Sequence, residues 1–263
     1  MAATRSWPRG PRHRLPRTIT PFADEAASSY TARLAHANHI STHTLRSYVA
    51  HSYGARPRPD WLATVSGQPE QVITTRLRGL AGDHTPLIPH LHRPLCQRCM
   101  AGKTIHEPVY CYLPAHRTVC QRHHRWIGPP AHTVDDQIDL HDRPQVLRAA
   151  RTHHRLARQH TDTDVRAALR GARHMLVYWA HAEHTDTAPI LHTGLHACVS
   201  AYPELIIVAA TVLAAGAAGE HTGHPPRSNT AAMLIEHLND RLEAHHVDTT
   251  PVQRWVHTRW RRP

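Results

Sequence analysis

Cys96-Gln97-Arg98-Cys99, followed after 20 residues by Cys120-Gln121-Arg122-His123, is the stretch on which the reading of this chain turns. Two ligands separated by two residues sit on a tight knuckle that aims both side chains at one ion. The resulting C-x2-C-x20-C-x2-H pattern offers three thiolates and one imidazole, a donor set suited to tetrahedral zinc. Four protein ligands leave no open position, so the spacing predicts one structural Zn2+ rather than a catalytic one. Such an ion contributes ~10 kcal/mol or more to the folding of its segment. Cys111 and His124 compete for the fourth position: His123 keeps the two-residue spacing, whereas Cys111 lies in the alternating run Val109-Tyr110-Cys111-Tyr112-Leu113. That run predicts a short β-hairpin between the knuckles, with Cys111 as a structural thiol.

The rest of the composition frames this centre. The 263 residues leave room for a real core, and 31 basic against 20 acidic residues give a net charge of +11 with all 28 histidines neutral. Lys103 is the only lysine, so the positive charge is almost entirely guanidinium, which matches phosphate in a bidentate fork. DNA is the expected partner, bound more tightly at mildly acid pH as histidines protonate. Only six Trp, seven Tyr and one Phe are present. Ala, Leu and Val must therefore fill the interior, and a mainly α fold follows. Residues 1–17 carry five Arg and no apolar run of signal-peptide length, so a cytoplasmic location is expected. Without an export signal, five cysteines argue for metal over disulfides, with the isolated Cys198 packing as a small hydrophobe. The longest apolar run, residues 205–218, is too short to cross a bilayer and reads as a buried helix; no membrane partner is expected.

Working outward toward the N-terminus, residues 1–14 read as a disordered basic tail and 15–90 as a helical region. Asp24 is placed to cap a first helix that ends at Asn38, and Ser41 to cap a second. Trp61 to Ser66, broken by Gly67, and a following helix with Val72, Ile73 and Leu77 read as helix, turn, helix. Ala63, Gly67 and Ile73 occupy the offsets that a DNA-reading helix-turn-helix uses, while Arg76 stands where an apolar residue is usual. Gln71, Thr74, Thr75 and Arg78 then fall on the second helix, within reach of phosphates or base edges. An ordinary helical hairpin in a core is the competing reading.

Residues 91–130 form the zinc-knuckle segment and 131–263 a C-terminal helical domain. Asp135, Asp136 and Asp139 are expected to cap a helix. Pro144 opens a helix on which Arg148, Arg151, Arg155 and Arg158 fall within an arc of ~80°, opposite Val146, Ala149, Ala150, Leu156 and Ala157. Four arginines without an interleaved acid suit phosphate or an acidic partner. Val165, Leu169, Ala172, Leu176 and Trp179 make a core stripe on the next helix. Further helices are expected over residues 229–245 and 252–260, the last ending in alternating Arg and Trp. The pairs His181 and His184, His192 and His196, and His221 and His224 share helical spacing without the Glu of an H-E-x-x-H site. A metal-dependent enzyme built on these C-terminal histidines is one alternative function. No nucleophile elbow, phosphate-cradling glycine loop or two-metal carboxylate cluster is present, so no enzyme is expected.

The residues Leu15-Pro16-Arg17, Pro21-Phe22-x-Asp24-Glu25 and Ser29-Tyr30-x-x-Arg33-Leu34-Ala35-x-Ala37-Asn38, with the later Cys96/Cys99 and Cys120/His123 knuckles, resemble the TniQ family over residues 15–128. The resemblance implies a non-enzymatic helix-turn-helix and zinc-knuckle adaptor that assists target selection in DNA transposition. Its partners would be DNA together with a transposase, an AAA ATPase or an RNA-guided effector complex. Carried over, Cys96, Cys99, Cys120 and His123 would hold zinc, and Ser29, Tyr30, Arg33 and Leu34 would belong to the signature helix. Many family members carry another cysteine knuckle after the C-x2-H, where this chain continues into a proline loop. The resemblance does not extend over residues 131–263. The remaining alternative is a stand-alone zinc-containing transcriptional regulator or defence-associated protein using the same surface.

Overall fold

Apolar residues recurring at helical spacing organise most of the chain into helices. The structure, a computed structural model, describes residues 10–52, 54–182 and 186–221. Among them stand eight α-helices and six strands of two or three residues, a mainly α architecture with a small sheet. The chain divides into two compact units: one runs to Ala115 and adds Ile127–Ile138, the other comprises His116–Trp126 and the residues from Asp139 onward.

In the first unit, β1 (Glu25–Ala26) leads into α1 (Ala27–Ala37), followed by α2 (Thr42–Tyr48), α3 (Pro59–Ser66), α4 (Glu70–Arg76) and β2 (Leu77–Arg78). Then come β3 (His92–Pro94), α5 (Gln97–Ala101) and β4 (Tyr110–Tyr112). The sheet order is β2-β1-β4-β3, with β1 and β2 parallel and the other pairs antiparallel. Tyr30, Leu34, Leu45, Leu62, Val65, Ile73 and Leu77 bury one core among α1 to α4. Asn38 ends α1, its amide donating to the Leu34 and Arg17 carbonyls, and the Ser41 hydroxyl caps α2 by accepting the Thr44 N–H at 3.0 Å. Gly67 closes α3 at φ 66°, the left-handed conformation that glycine adopts without a Cβ penalty.

The start of α1 differs from expectation. Asp24 does not cap it: Glu25 and Ala26 are committed to β1, Ala26 is the N-cap, and Asp24, at φ 55°, pairs with Arg78. Arg78 in turn is not on the second helix of the α3–α4 pair. That helix stops at Arg76, and Arg78 lies on β2 opposite Ala26. The parallel pairing to β1 overrides the local helical preference, as tertiary contacts commonly do.

In the second unit, β5 (Val119–Cys120) and β6 (Arg125–Trp126) form a hairpin, followed by α6 (Pro144–Gln159), α7 (Asp162–Ala182) and α8 (Leu195–His221). Helix α8 packs against α6 and α7, and Leu156, Val165, Ala172, Met175, Trp179, Val208 and Ala209 fill the core. Tyr202 on α8 stacks edge-on against Trp126 of the hairpin and shares hydrogen bonds with Thr118 at 2.8 Å and His153 at 3.0 Å. The hairpin expected around Cys111 is therefore placed elsewhere: β4 pairs outward with β1 and β3, and the hairpin is β5–β6.

Three further readings change. The apolar helix begins at Leu195 rather than 205, running through Pro203, and its 20-residue segment Leu195–Ala214 has the length and apolar composition to cross a bilayer. Val199, Ile206, Val208 and Ala209 on it are buried, as in the core helix of a folded domain. His192 and His196 do not share a helix, because α8 starts at Leu195 after Gly194 at φ 102°. Asp136 and Asp139 close turns instead of capping a helix, accepting the N–H groups of His132, Thr133 and His141. His184, His224, the helices expected over 229–245 and 252–260 and the Arg/Trp terminus lie outside the described residues, as do residues 1–9 of the basic tail.

Candidate metal centre

Cys96 ends the approach from β3 and becomes the N-cap residue of α5, so that its carbonyl accepts the Met100 N–H at 3.1 Å while Cys99 sits one turn along. The buried Gln137 braces this knuckle. Its side chain accepts the Gln97 N–H at 3.0 Å and donates to the Leu95 carbonyl at 2.9 Å, one clamp on each side of Cys96. The second knuckle is the turn of the β5–β6 hairpin. Cys120 is the last residue of β5, and His124 at φ 46° returns the chain to β6, leaving His123 at the tip.

The ligand atoms of Cys96, Cys99, Cys120 and His123 all lie within 4.8 Å of one another. The Cys120 Sγ to His123 Nδ1 distance is 3.7 Å. With Zn–S near 2.3 Å and Zn–N near 2.0–2.1 Å, the edges of a tetrahedral site measure about 3.6–3.8 Å, so the donor set is compatible with zinc in both chemistry and spacing. Cys96 is buried and Cys99, Cys120 and His123 are half-buried. Among the described residues, no other group of three or more His, Cys, Asp or Glu side chains is placed to share an ion.

The two competitors for the fourth position stand apart from the cluster. Cys111 is fully buried at the centre of β4, opposite Glu25 on one side and Arg93 on the other, a thiol packed in the sheet. The His124 ring lies against that of His141, and the His124 carbonyl accepts the Leu140 N–H at 2.8 Å.

The residues expected to meet nucleic acid divide into two sets. On α4, Gln71, Thr74 and Thr75 are exposed, the threonine hydroxyls donating to carbonyls of their own helix, while Ile73 faces the core. Arg76, at the offset where an apolar residue is usual, is exposed and donates to the Pro21 carbonyl at 3.1 Å. Arg78 leaves this set, being engaged by Asp24. On α6, Arg148, Arg151, Arg155 and Arg158 are all exposed and Val146, Ala149, Ala150 and Leu156 are buried, so the helix presents the arginine face that the spacing predicts.

Two features go beyond the sequence reading: the bracing of the first knuckle and the bonding among residues of the opening motif. Gln137 carries no local signal, since its partners lie 40 or more residues away. The second is a buried polar network at the start of α1. Glu25, with no exposed surface, accepts from Arg33 Nε at 2.9 Å and Nη2 at 2.8 Å, from the Ser29 hydroxyl at 3.1 Å and from the Phe22 N–H at 3.0 Å. The Ser29 hydroxyl also accepts the Tyr110 N–H at 2.9 Å, tying α1 to β4. No protein-family model matches the chain, and neither a curated protein nor a solved structure does.

Proposed function

We propose that this chain is a non-enzymatic, zinc-stabilised adaptor of TniQ type, which binds DNA and helps a transposition machinery choose its target. The observation that carries the reading is the gathering of Cys96, Cys99, Cys120 and His123 into one four-donor cluster, in the spacing that the resemblance requires. Bound there, zinc would serve as a cross-link between two knuckles with no position left for a substrate. Gln137 holds the first knuckle ready by fixing the peptides on either side of Cys96. The residues of the opening motif act in the same structural sense: Glu25, Ser29 and Arg33 bond to one another, and Tyr30 and Leu34 are in the core.

DNA contact falls to two surfaces of different kinds. The α3–Gly67–α4 pair acts as a helix-turn-helix, with Gln71, Thr74 and Thr75 facing base edges or phosphates. The α6 stripe of Arg148, Arg151, Arg155 and Arg158 follows a phosphate backbone, because its guanidiniums meet no acidic side chain among the described residues. A transposase, an AAA ATPase or an RNA-guided effector complex is the protein partner that such an adaptor would serve.

Metal analysis of the purified protein, combined with DNA binding across a salt series for wild type and Cys96→Ser, tests this. One zinc per chain, lost in the variant, with a log-log salt slope of several units, is the expected result. Absence of zinc from the wild-type protein would overturn the reading.

A further inference from the structure

The outward face of α7 carries chemistry that neither the zinc centre nor the α6 stripe uses. Arg166, Arg170, His174 and Tyr178 form one row at i, i+4 spacing, each step advancing about 6 Å along the helix. Arg173 and His181 flank the row, at i+3 from Arg170 and Tyr178, and all six side chains are exposed. The opposite face, with Val165, Ala168, Ala172, Met175, Leu176 and Trp179, is buried in the core, so the row faces away from that packing.

Charge on this face is one-sided. The acids of α7 are both in its first turn: Asp162 pairs with Arg166, and Asp164 accepts from the Thr161 hydroxyl. From Val165 to Ala182 the sequence contains no acid, and Arg170 and Arg173 have no carboxylate partner among the described residues. Beside these cations stands Tyr178, 41% exposed and one of two large hydrophobic side chains exposed to that degree among the described residues. The Tyr178 ring keeps part of its surface in solvent beside guanidiniums that meet no carboxylate among the described residues. It suits a ligand that offers phosphates and flat bases together.

We propose that Arg170, Arg173, His174 and Tyr178 form a binding track for single-stranded nucleic acid. Arg170 and Arg173 hold successive phosphates, His174 adds a donor between them and the aromatic ring, and Tyr178 stacks on an unpaired base. A duplex keeps its bases stacked on one another and offers Tyr178 nothing to stack on. Tyr178 thus separates this track from the α6 stripe, whose exposed residues include four arginines and no Tyr, Trp or Phe. The track extends the proposed nucleic-acid function to a second, structurally distinct ligand and does not depend on the zinc ligands.

The test is fluorescence-anisotropy titration of the full zinc-loaded chain with oligothymidylate and oligouridylate of about 16 nucleotides, and with a duplex of equal length, over a salt series. The double variant Arg170→Gln/Arg173→Gln should weaken single-strand binding by about tenfold or more and lower its log-log salt slope by about 1.4, two phosphate contacts at ~0.7 each. Tyr178→Ala should weaken it by about fivefold or more while leaving duplex affinity within about twofold, and Tyr178→Phe should bind as wild type does. A loss confined to oligothymidylate or to oligouridylate assigns the track to DNA or to RNA. Single-strand affinities unchanged in these variants would overturn the assignment, as would a Tyr178→Ala loss equal on duplex and single strand. All the substituted side chains are exposed, so zinc content should stay at one per chain. Failure of the track with zinc retained leaves the adaptor reading standing, and a zinc-free wild type overturns that reading alone.

Discussion

Glu25 is the residue whose environment is least forgiving, because a carboxylate with no solvent access must find every partner inside the protein. Arg33 supplies a two-point grip, Ser29 and the Phe22 N–H complete the shell, and Phe22 and Tyr30 lie 5.0 and 5.8 Å from the Arg33 guanidinium. Truncating Arg33→Met leaves that carboxylate buried without its counter-ion, at a cost of about 3–5 kcal/mol. Chemical denaturation should report that loss, and adding Glu25→Gln should restore part of it; a single variant as stable as wild type would show that the pair does not hold α1 to the sheet. His153 presents the opposite problem, a base that burial keeps neutral. Desolvation, followed by the charges of His116 and His154, lowers its pKa to about 4. Its Nδ1 meets the Tyr202 hydroxyl, and its buried Nε2 has no hydrogen-bond partner among the described residues. In the unfolded chain the same ring titrates near 6.5, so between pH 6.5 and 4 the unfolded state binds more protons and stability rises with pH. The stabilisation is present above pH 6.5 and is lost as pH falls toward 4, by an amount on the order of 3 kcal/mol. His153→Gln should flatten this part of the profile. Measuring both proteins from pH 7.5 to 5 isolates His153, since they share the same zinc ligands.

Helix α6 shows which elements are legible in the amino-acid sequence. Pro144 opens it, Gln159 ends it, and the burial of one face agrees with the 3.6-residue period, because a helix of 16 residues repeats its pattern often enough to be recognised. The same holds for α1, α2 and α7, and for the cysteine knuckles, where a fixed spacing encodes a local geometry. The strands are mostly not legible, because two or three residues can hardly display an alternation of period two; the run over residues 109–113 does read as extended and holds β4, but its pairing with β1 and β3 is not local. Local pattern alone thus draws Arg78 into a helix and Cys111 into a hairpin. It also shortens α8, because the unbroken apolar run starts only after Pro203 and Glu204, whereas the helix runs on through both. The exposed ring of Tyr178 has no signature of its own, because a core stripe on one face of α7 says nothing about the other. For α6 itself the expected behaviour is sharp. Arg151→Gln/Arg155→Gln should lower the salt slope of duplex binding by about 1.8, two contacts at ~0.9 each, with stability changed by no more than about 0.5 kcal/mol. A slope equal to that of wild type would remove the stripe from the DNA interface.

At the scale of the whole molecule, the question is which parts would need the metal in order to fold. Each unit has an apolar core of its own: one among α1 to α4, the other among α6, α7 and α8. The knuckles have no comparable resource. Helix α5 has five residues, below the length at which a helix persists alone, and β5–β6 is a hairpin of two-residue strands, marginal without added packing. Gln137 and the contact of Trp126 with Tyr202 support these elements from one side each, and zinc would supply the remaining constraint. Chelation should therefore act locally. Hydrogen exchange followed by mass spectrometry, with and without a zinc chelator, should show protection lost across residues 96–124 and kept in α1 and α7, and Cys96→Ser should reproduce the chelated pattern without chelator. Gln137→Ala should weaken zinc binding by about 10–100-fold while leaving all four ligands in place, as expected when the groups that orient a metal site are removed. Loss of protection throughout α1 to α4 or α6 to α8 on chelation would mean that the cores cannot stand without the ion; loss nowhere would mean that α5 and the hairpin are held by packing, and that the four donors do not stabilise the fold through zinc.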